Sequence, residues 1–148
     1  MMIVNGFDCR RNKLTQLSEV PRIVRGNFDC SYNLLTRLAG APKRVIGDFS
    51  CRHNLLGSLI FNHGQELLEI DGELDVSFNP ITKGGAGLIV IEGLRHVHAQ
   101  GTGDFEKAVE LINRHLRSLA PGDNRKLAAF RCQEELIYAE LDDFGDFG

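Results

Sequence analysis

One pattern is written three times between Ile3 and Leu59 at a spacing of 21 residues, so any fold must give the three copies equivalent surroundings. Phe7, Phe28 and Phe49 fall in register. So do Cys9, Cys30 and Cys51, then Asn12, Asn33 and Asn54, then Leu14, Leu35 and Leu56, then Leu17, Leu38 and Leu59. Gly26 is matched by Gly47 and Pro21 by Pro42. A period of this length is the mark of a solenoid, in which no unit buries its own apolar face and each neighbour covers the next.

Within a unit, Val24, Gly26, Phe28 and Cys30 alternate with Arg25, Asn27, Asp29 and Ser31. Period-2 alternation reads as a strand with one buried face. The asparagine that follows is the informative position. Where the chain leaves the strand inside a stack, backbone groups lose water, and one short amide side chain supplies both a donor and an acceptor. Stacked Asn12, Asn33 and Asn54 therefore predict a ladder that satisfies each turn from the next. The leucine pairs after it fill the far side, and Pro21 and Pro42 turn the chain back.

A shift of 25 brings a fourth copy into register at Ile70, Gly72, Leu74, Val76 and Asn79, with Ile81 in the Leu56 column. The extra residues fall in the connection NHGQ, 62–65, which is expected to bulge from an edge. Another 21 residues place Ile91, Gly93, Val97 and Gln100 in the same columns, with Arg95 as a mismatch in the phenylalanine column. Between them, 84–94 reads as a short helix from Ala86 to Ile91, while the β-branched run Ile89-Val90-Ile91 argues for a strand.

Beyond Gly101 the period breaks. Phe105, Ala108, Val109, Ile112 and Leu116 mark one apolar side of a helix that Thr102 or Asp104 can cap. Ala120-Pro121-Gly122 stops it. Asp123 is expected to cap a second helix whose apolar residues are Leu127, Phe130, Leu136, Ile137 and Leu141. The expected fold is an α/β solenoid, a short stack of parallel strands over 1–100 with four clear repeats and a degenerate fifth. Residues 101–148 form a helical hairpin that closes its far end. The acidic tail DDFGDFG is expected to be loose, with Phe144 docked at most. The first unit lacks a lid, and an uncovered strand edge invites pairing, so a homodimer through this end is one expectation.

The units NFDCSYNLLTRLAGAP and GFDCRRNKLTQLSEVP resemble the leucine-rich repeat, above all short bacterial forms with an LTxL segment and a proline before the next strand. They are more similar still to units in small tailed-phage proteins that end in a helical segment like CQEELIYAEL, 132–141. The resemblance covers about residues 3 to 141. It implies a stacked fold and protein binding, in a host cytoplasm if the chain is phage-encoded, and it implies no catalytic residues. The chain departs from the leucine-rich pattern in using Phe and Cys where Leu is usual.

Composition narrows the function classes. The net charge of −3 hides a split, with nine Lys and Arg against four acids in residues 1–60 and eight against sixteen afterwards. Arg22, Arg25, Lys43 and Arg44 lie near the returns and form the alternative reading, a basic edge for nucleic acid, which the later acids oppose. The cysteine column reads as a reduced, buried ladder rather than a disulfide or metal set, because free Cys is a small hydrophobe and no CxxC or His pair accompanies it. That points to a reducing, cytoplasmic setting. No signal peptide or membrane-length apolar run is read.

By strand parity the outward side chains are Asp8 and Arg10, Asp29 and Ser31, Ser50 and Arg52, Asp75 and Ser77, and then His96 and His98. The next positions add Arg11, Tyr32, His53 and Phe78. Arg and Tyr at the centre of a patch are the residue types that dominate interface energy, so this face is the candidate protein-binding surface. Enzyme readings have less behind them. Asp8, Asp29 and Asp75 make a row that Ser50 interrupts, and His53 with Ser50 has no orienting partner. His96 and His98 with Asp75 fall short of a metal site. A small hydrolase or nucleotide-binding protein is thus the remaining alternative, resting on Gly84-Gly85-Ala86-Gly87 as a phosphate nest that lacks the Lys-Ser/Thr ending. No catalytic residue, cofactor or metal is predicted.

Overall fold

Each of the first four coils carries at least two short strands rather than one, because the chain bends between them. A computed structural model describes residues 3–59, 67 and 69–146. The strands are β1 (Ile3–Val4), β2 (Phe7–Asp8), β3 (Ile23–Val24), β4 (Phe28–Asp29), β5 (Arg44–Val45) and β6 (Phe49–Ser50). They continue with β7 (Ser58–Leu59), β8 (Glu69–Ile70), β9 (Glu73–Asp75), β10 (Lys83–Gly84) and β11 (His96–His98). One parallel sheet runs β1-β3-β5-β8, a second β2-β4-β6-β9-β11, and β7 pairs with β10 on the return side. The result is a parallel-strand solenoid of about four turns, with two helices at its C-terminal end.

The bend is a corner at Gly26, Gly47 and Gly72. A Cβ at Gly47 would stand 2.5 Å from the Gly26 carbonyl oxygen, so the corners stack backbone on backbone and only glycine fits. The first corner is one residue shorter than the second. Ile3 pairs with Ile23, 20 residues on, while Phe7 pairs with Phe28, 21 residues on. Phe49 pairs with Leu74 at the expected shift of 25. The bulge predicted at 62–65 lies outside the described residues.

The fifth coil is in a different register from the one predicted. Val97 pairs with Leu74, a shift of 23 that puts Val97 in the phenylalanine column, Ala99 in the cysteine column and Thr102 in the asparagine column. Arg95 is therefore not a mismatch in the core. Thr102 Oγ1 donates to the Ala99 carbonyl at 2.5 Å, the bond to the third residue back that each asparagine makes. In the stretch 84–94, β10 is followed by a 3₁₀ helix at Ala86–Val90, so the helical alternative is the one adopted.

The columns pack as ladders. Phe28 stacks against Phe7 with ring centroids 5.7 Å apart and against Phe49 at 4.9 Å. Cys9, Cys30 and Cys51 are buried free thiols. Cys30 Sγ donates to the Ser50 carbonyl at 3.5 Å and Cys51 Sγ to the Asp75 carbonyl at 3.4 Å. Asn33 Oδ1 accepts from the Asn12 and Leu14 amides at 2.9 and 3.0 Å, while Nδ2 donates to the Cys9 and Cys30 carbonyls at 3.0 and 2.9 Å. Asn54 and Asn79 repeat this one and two coils on, accepting from the Leu35 and Leu56 amides. Such buried amides, fully paired, hold the turn where it is.

Helices α1 (Phe105–Arg117) and α2 (Arg125–Tyr138) close the far end. Two polar side chains make the closure chemically complete. Asn113, buried on α1, accepts from the Val97 amide at 2.8 Å and donates to the Val97 carbonyl at 2.9 Å, replacing the missing next strand. Arg125 Nη1 donates to the Ile89 and Ile91 carbonyls at 3.0 and 2.6 Å, and Nη2 to Leu94 at 3.2 Å. These are carbonyls that a sixth coil would otherwise have to satisfy.

Several expectations about the helices need correction. Asn124, not Asp123, caps α2 by accepting from the Leu127 amide at 3.0 Å. The carboxylate of Asp123 instead accepts from the Ala120 amide and closes the turn before it. Neither Thr102 nor Asp104 caps α1 through its side chain, since Thr102 is held by Ala99 and Asp104 makes no capping bond. The buried side of α2 is Ala129, Cys132 and Leu136, leaving Leu127, Phe130 and Ile137 exposed. Small residues face inward because α2 lies close on the 3₁₀ helix. The tail is not loose as far as Asp146. Asp142–Gly145 forms a second 3₁₀ turn, and buried Phe144 packs on Phe105 with centroids 5.5 Å apart.

Candidate interaction face

The second sheet ends each of its strands in the same turn, and that turn builds the candidate face. In three of the coils an aspartate at the strand end accepts from the backbone amide two residues on: Asp8 from Arg10, Asp29 from Ser31, Asp75 from Ser77. The next residue then takes a left-handed backbone, with φ of 58° at Arg11, 58° at Tyr32, 56° at His53 and 58° at Phe78. A left-handed non-glycine residue costs of order 1 kcal/mol. Four in a column persist because each donates its amide to the next coil and is followed by the asparagine ladder, with the aspartate bond before three of them.

That shared backbone sets four side chains one over another in a column. The guanidinium of Arg11 lies 4.2 Å from the centre of the Tyr32 ring. Tyr32 stacks on His53 at 4.4 Å and 12°, and His53 on Phe78 at 4.4 Å and 15°. The fifth member is Gly101, where a Cβ would stand 2.5 Å from Phe78 Cδ1. With φ at +68°, Gly101 is spared the backbone cost that the other four members bear, and the Phe78 ring leaves no room for a side chain there.

Beside this ladder runs a second column that parity did not single out: Lys13, Leu34, Leu55 and Pro80, all exposed. Its signal was in the sequence. Leu34-Leu35 and Leu55-Leu56 are doublets on a turn, and two consecutive leucines there cannot both face inward.

The charged row flanks the ladder. Arg10 forks onto Asp8, with Nη2 2.8 Å from Oδ2, and its Nε approaches Asp29 of the next coil at 3.4 Å. The Arg10 side chain holds the Asp8 carboxyl below its ordinary range. Arg52 reaches Asp75 across the coils at 3.7 Å and lies over the Phe78 ring at 5.5 Å. At the last coil His98 Nε2 meets Glu73 Oε1 at 2.6 Å, and this bond lowers the Glu73 pKa. Burial, then the neighbouring His98, lowers that of His96.

Not every predicted position is on the surface. Ser31 and Ser77 are only 2% and 3% exposed, which corrects their place on the outward face. The chain is already curving into the left-handed turn at these residues, so their side chains lie along the stack. Ser31 Oγ bonds Ser50 Oγ at 2.7 Å, and Ser77 Oγ accepts from the Gln100 amide at 3.0 Å. His98, through its shifted register, joins the row of Asp8, Asp29, Ser50 and Asp75, while His96 sits opposite Glu73.

The competing sites come out differently. Asp75 is turned to Ser77 and Arg52, not to the two histidines, and among the described residues no group of three His, Cys, Asp or Glu is placed to hold a metal. Gly84 and Gly85 are buried, with Gly85 against the Phe105 ring and Ile112, so the glycine run is covered by α1 rather than open to a phosphate. On the basic edge, Arg44 is paired with Glu69 at 2.9 Å, while Arg22 and Arg25 are exposed. Among the described residues no helix is long and apolar enough to cross a membrane.

The fold and face define the class: a capped parallel-strand solenoid with a stacked aromatic column on one side. No protein-family model matches the chain, and comparison with curated proteins and with solved structures finds no significant match.

Proposed function

We propose that the chain is a non-enzymatic protein-binding module that recognises its partner through the second sheet's turn face. The observation that supports this most is the Arg11–Tyr32–His53–Phe78 ladder. Aromatic and arginine side chains are already stacked and fixed by their backbone, so docking on them surrenders little side-chain freedom. The exposed Leu34 and Leu55 beside them supply apolar area, and the Arg10–Asp8 and Arg52–Asp75 pairs form a polar rim. The resemblance to small tailed-phage proteins suggests a host or viral protein as that partner.

The test compares proteins captured from host lysate by the parent chain and by a Tyr32→Ser/Leu55→Ser variant, at low and high salt. Both substitutions are at exposed positions, and a melt checks that the fold is kept. The reading expects a partner captured by the parent, retained at high salt and lost with the variant. Identical captures would remove this face. A capture made of nucleic acid that disappears with salt would favour the basic edge instead.

A further inference from the structure

Two exposed surfaces of this chain match each other in length, spacing and charge. The first is the turn face, read along the stack axis from coil one to coil five. It begins with the cations Arg11 and Lys13, passes through Tyr32, Leu34, Leu55 and Phe78, and ends at a groove where Phe78 and Pro80 meet Asp104, Glu140, Asp142 and Asp143. Four steps between coils at about 4.8 Å make it about 19 Å long. The second is the outer side of α2. Leu127, Ile137 and Tyr138 are 45%, 55% and 93% exposed there, spaced as one helical stripe that also includes Phe130. Its charges run from Lys126 at the N-terminal end through Arg131 at the middle to Glu134 in the C-terminal half.

We infer that the turn face takes the α2 stripe of a second copy of this chain, laid along the stack with its N-terminal end over the acidic groove. This rests on the binding-face reading above and names the partner. The 14 residues of α2 span about 21 Å, close to the length of the face. A helix advances about 5.4 Å per turn, so successive turns fall nearly one per coil. Alternate residues of an extended peptide, at about 6.7 Å, slip out of step within two coils. In this direction Lys126 faces Asp104, Asp142 and Asp143, Arg131 lies over the middle coils, and Glu134 lies toward Arg11 and Lys13. The reverse direction sets like charges together at both ends. The helix dipole adds to the same preference, with its positive end at the acidic groove. Each copy carries both surfaces, so a reciprocal exchange closes as a two-fold dimer.

Sedimentation of the full chain at roughly 100 µM, where even a micromolar interface is filled, tests this. The expected mass exceeds the 16.5 kDa of one chain. Leu127→Glu/Ile137→Glu should weaken association by more than about tenfold while the melt stays within a few degrees, since both positions are exposed. Lys13→Glu and Glu134→Lys should each weaken it about fivefold, and together restore it to within about twofold. A monomeric parent overturns the inference. So does an association indifferent to Leu127→Glu/Ile137→Glu, which would place the contact elsewhere, such as the open first coil. Failure of the charge pair to rescue overturns the stated direction and the inference with it. A monomeric parent that still loses a captured partner through Tyr32→Ser/Leu55→Ser removes only the second-copy assignment and leaves the binding face standing.

Discussion

The asparagine ladder makes a quantitative prediction about coupling. The Cys30 carbonyl accepts from two amides, Asn33 Nδ2 at 2.9 Å and Asn54 Nδ2 at 3.1 Å. The Cys51 carbonyl likewise has both Asn54 and Asn79, each at 3.0 Å. Asn54→Ala therefore leaves both carbonyls with one donor. What it strands is the Leu35 amide, deep in the core, whose acceptor is Asn54 Oδ1 at 3.0 Å. One buried orphan donor costs about 1–3 kcal/mol. Asn33→Ala strands the Asn12 and Leu14 amides, which lie nearer water, and should fall in the same range. The double variant removes both donors from the Cys30 carbonyl. Its loss should exceed the sum of the singles by about 1 kcal/mol or more. Urea unfolding followed by circular dichroism, with equal slopes across the four proteins, measures the cycle. An additive cycle, or a single variant within about 0.5 kcal/mol of the parent, would refute the claim that these carbonyls are shared between neighbouring amides.

Gly101→Ala should destabilise by about 1–3 kcal/mol through its left-handed backbone and the Phe78 ring. Relief by a simultaneous Phe78→Leu, seen in the melt, would identify the ring as the obstacle. Arg125→Ala removes three bonds to carbonyls from a mostly buried guanidinium and should lower stability by about 2–4 kcal/mol, whereas Arg131→Ala on the open side should stay within about 0.5 kcal/mol. The thiols give a pH prediction. Burial pushes Cys9 up to about 11 and Cys132 up to about 12, from an ordinary value of 9.0. The unfolded chain then loses its thiol protons first, so this contribution is intact below pH 9.0 and is lost as pH rises toward the folded values. The urea midpoint should fall across that window, and by less in Cys9→Ala. A thiol reagent near neutral pH should label the buried cysteines only as the chain unfolds.

The columns were legible because each is set by one chemical demand repeated at one spacing. Asparagine satisfies a turn, phenylalanine and cysteine fill a fixed volume, and nothing else in the chain competes for those positions. The fifth coil was misplaced by two residues because the same demands are met there by other side chains. Val97 and Ala99 fill the volume, and Thr102 makes the asparagine's bond with a hydroxyl. The helical lid was visible in its apolar spacing, yet its attachment was not. Asn113 and Arg125 look like ordinary surface residues until the last coil presents unpaired backbone groups to them. The turn face was half visible. Arg11, Tyr32, His53 and Phe78 were placed on it as neighbours of a strand, but their stacking follows from a left-handed turn that alternation does not encode. The same turn hides Ser31 and Ser77, which strand parity alone places outside.

Because shifts of 21, 25 and 23 all preserve the pairing of Phe28 with Phe49, Phe49 with Leu74 and Leu74 with Val97, connections between coils can change length without disturbing what is stacked. The architecture is thus a ruler whose graduations are whole coils. Copying one 21-residue unit between the second and third coils would add one rung to every column and lengthen the aromatic face by about 4.8 Å. Reach along the axis can therefore grow by gene duplication alone, with the lid and its two polar fasteners untouched.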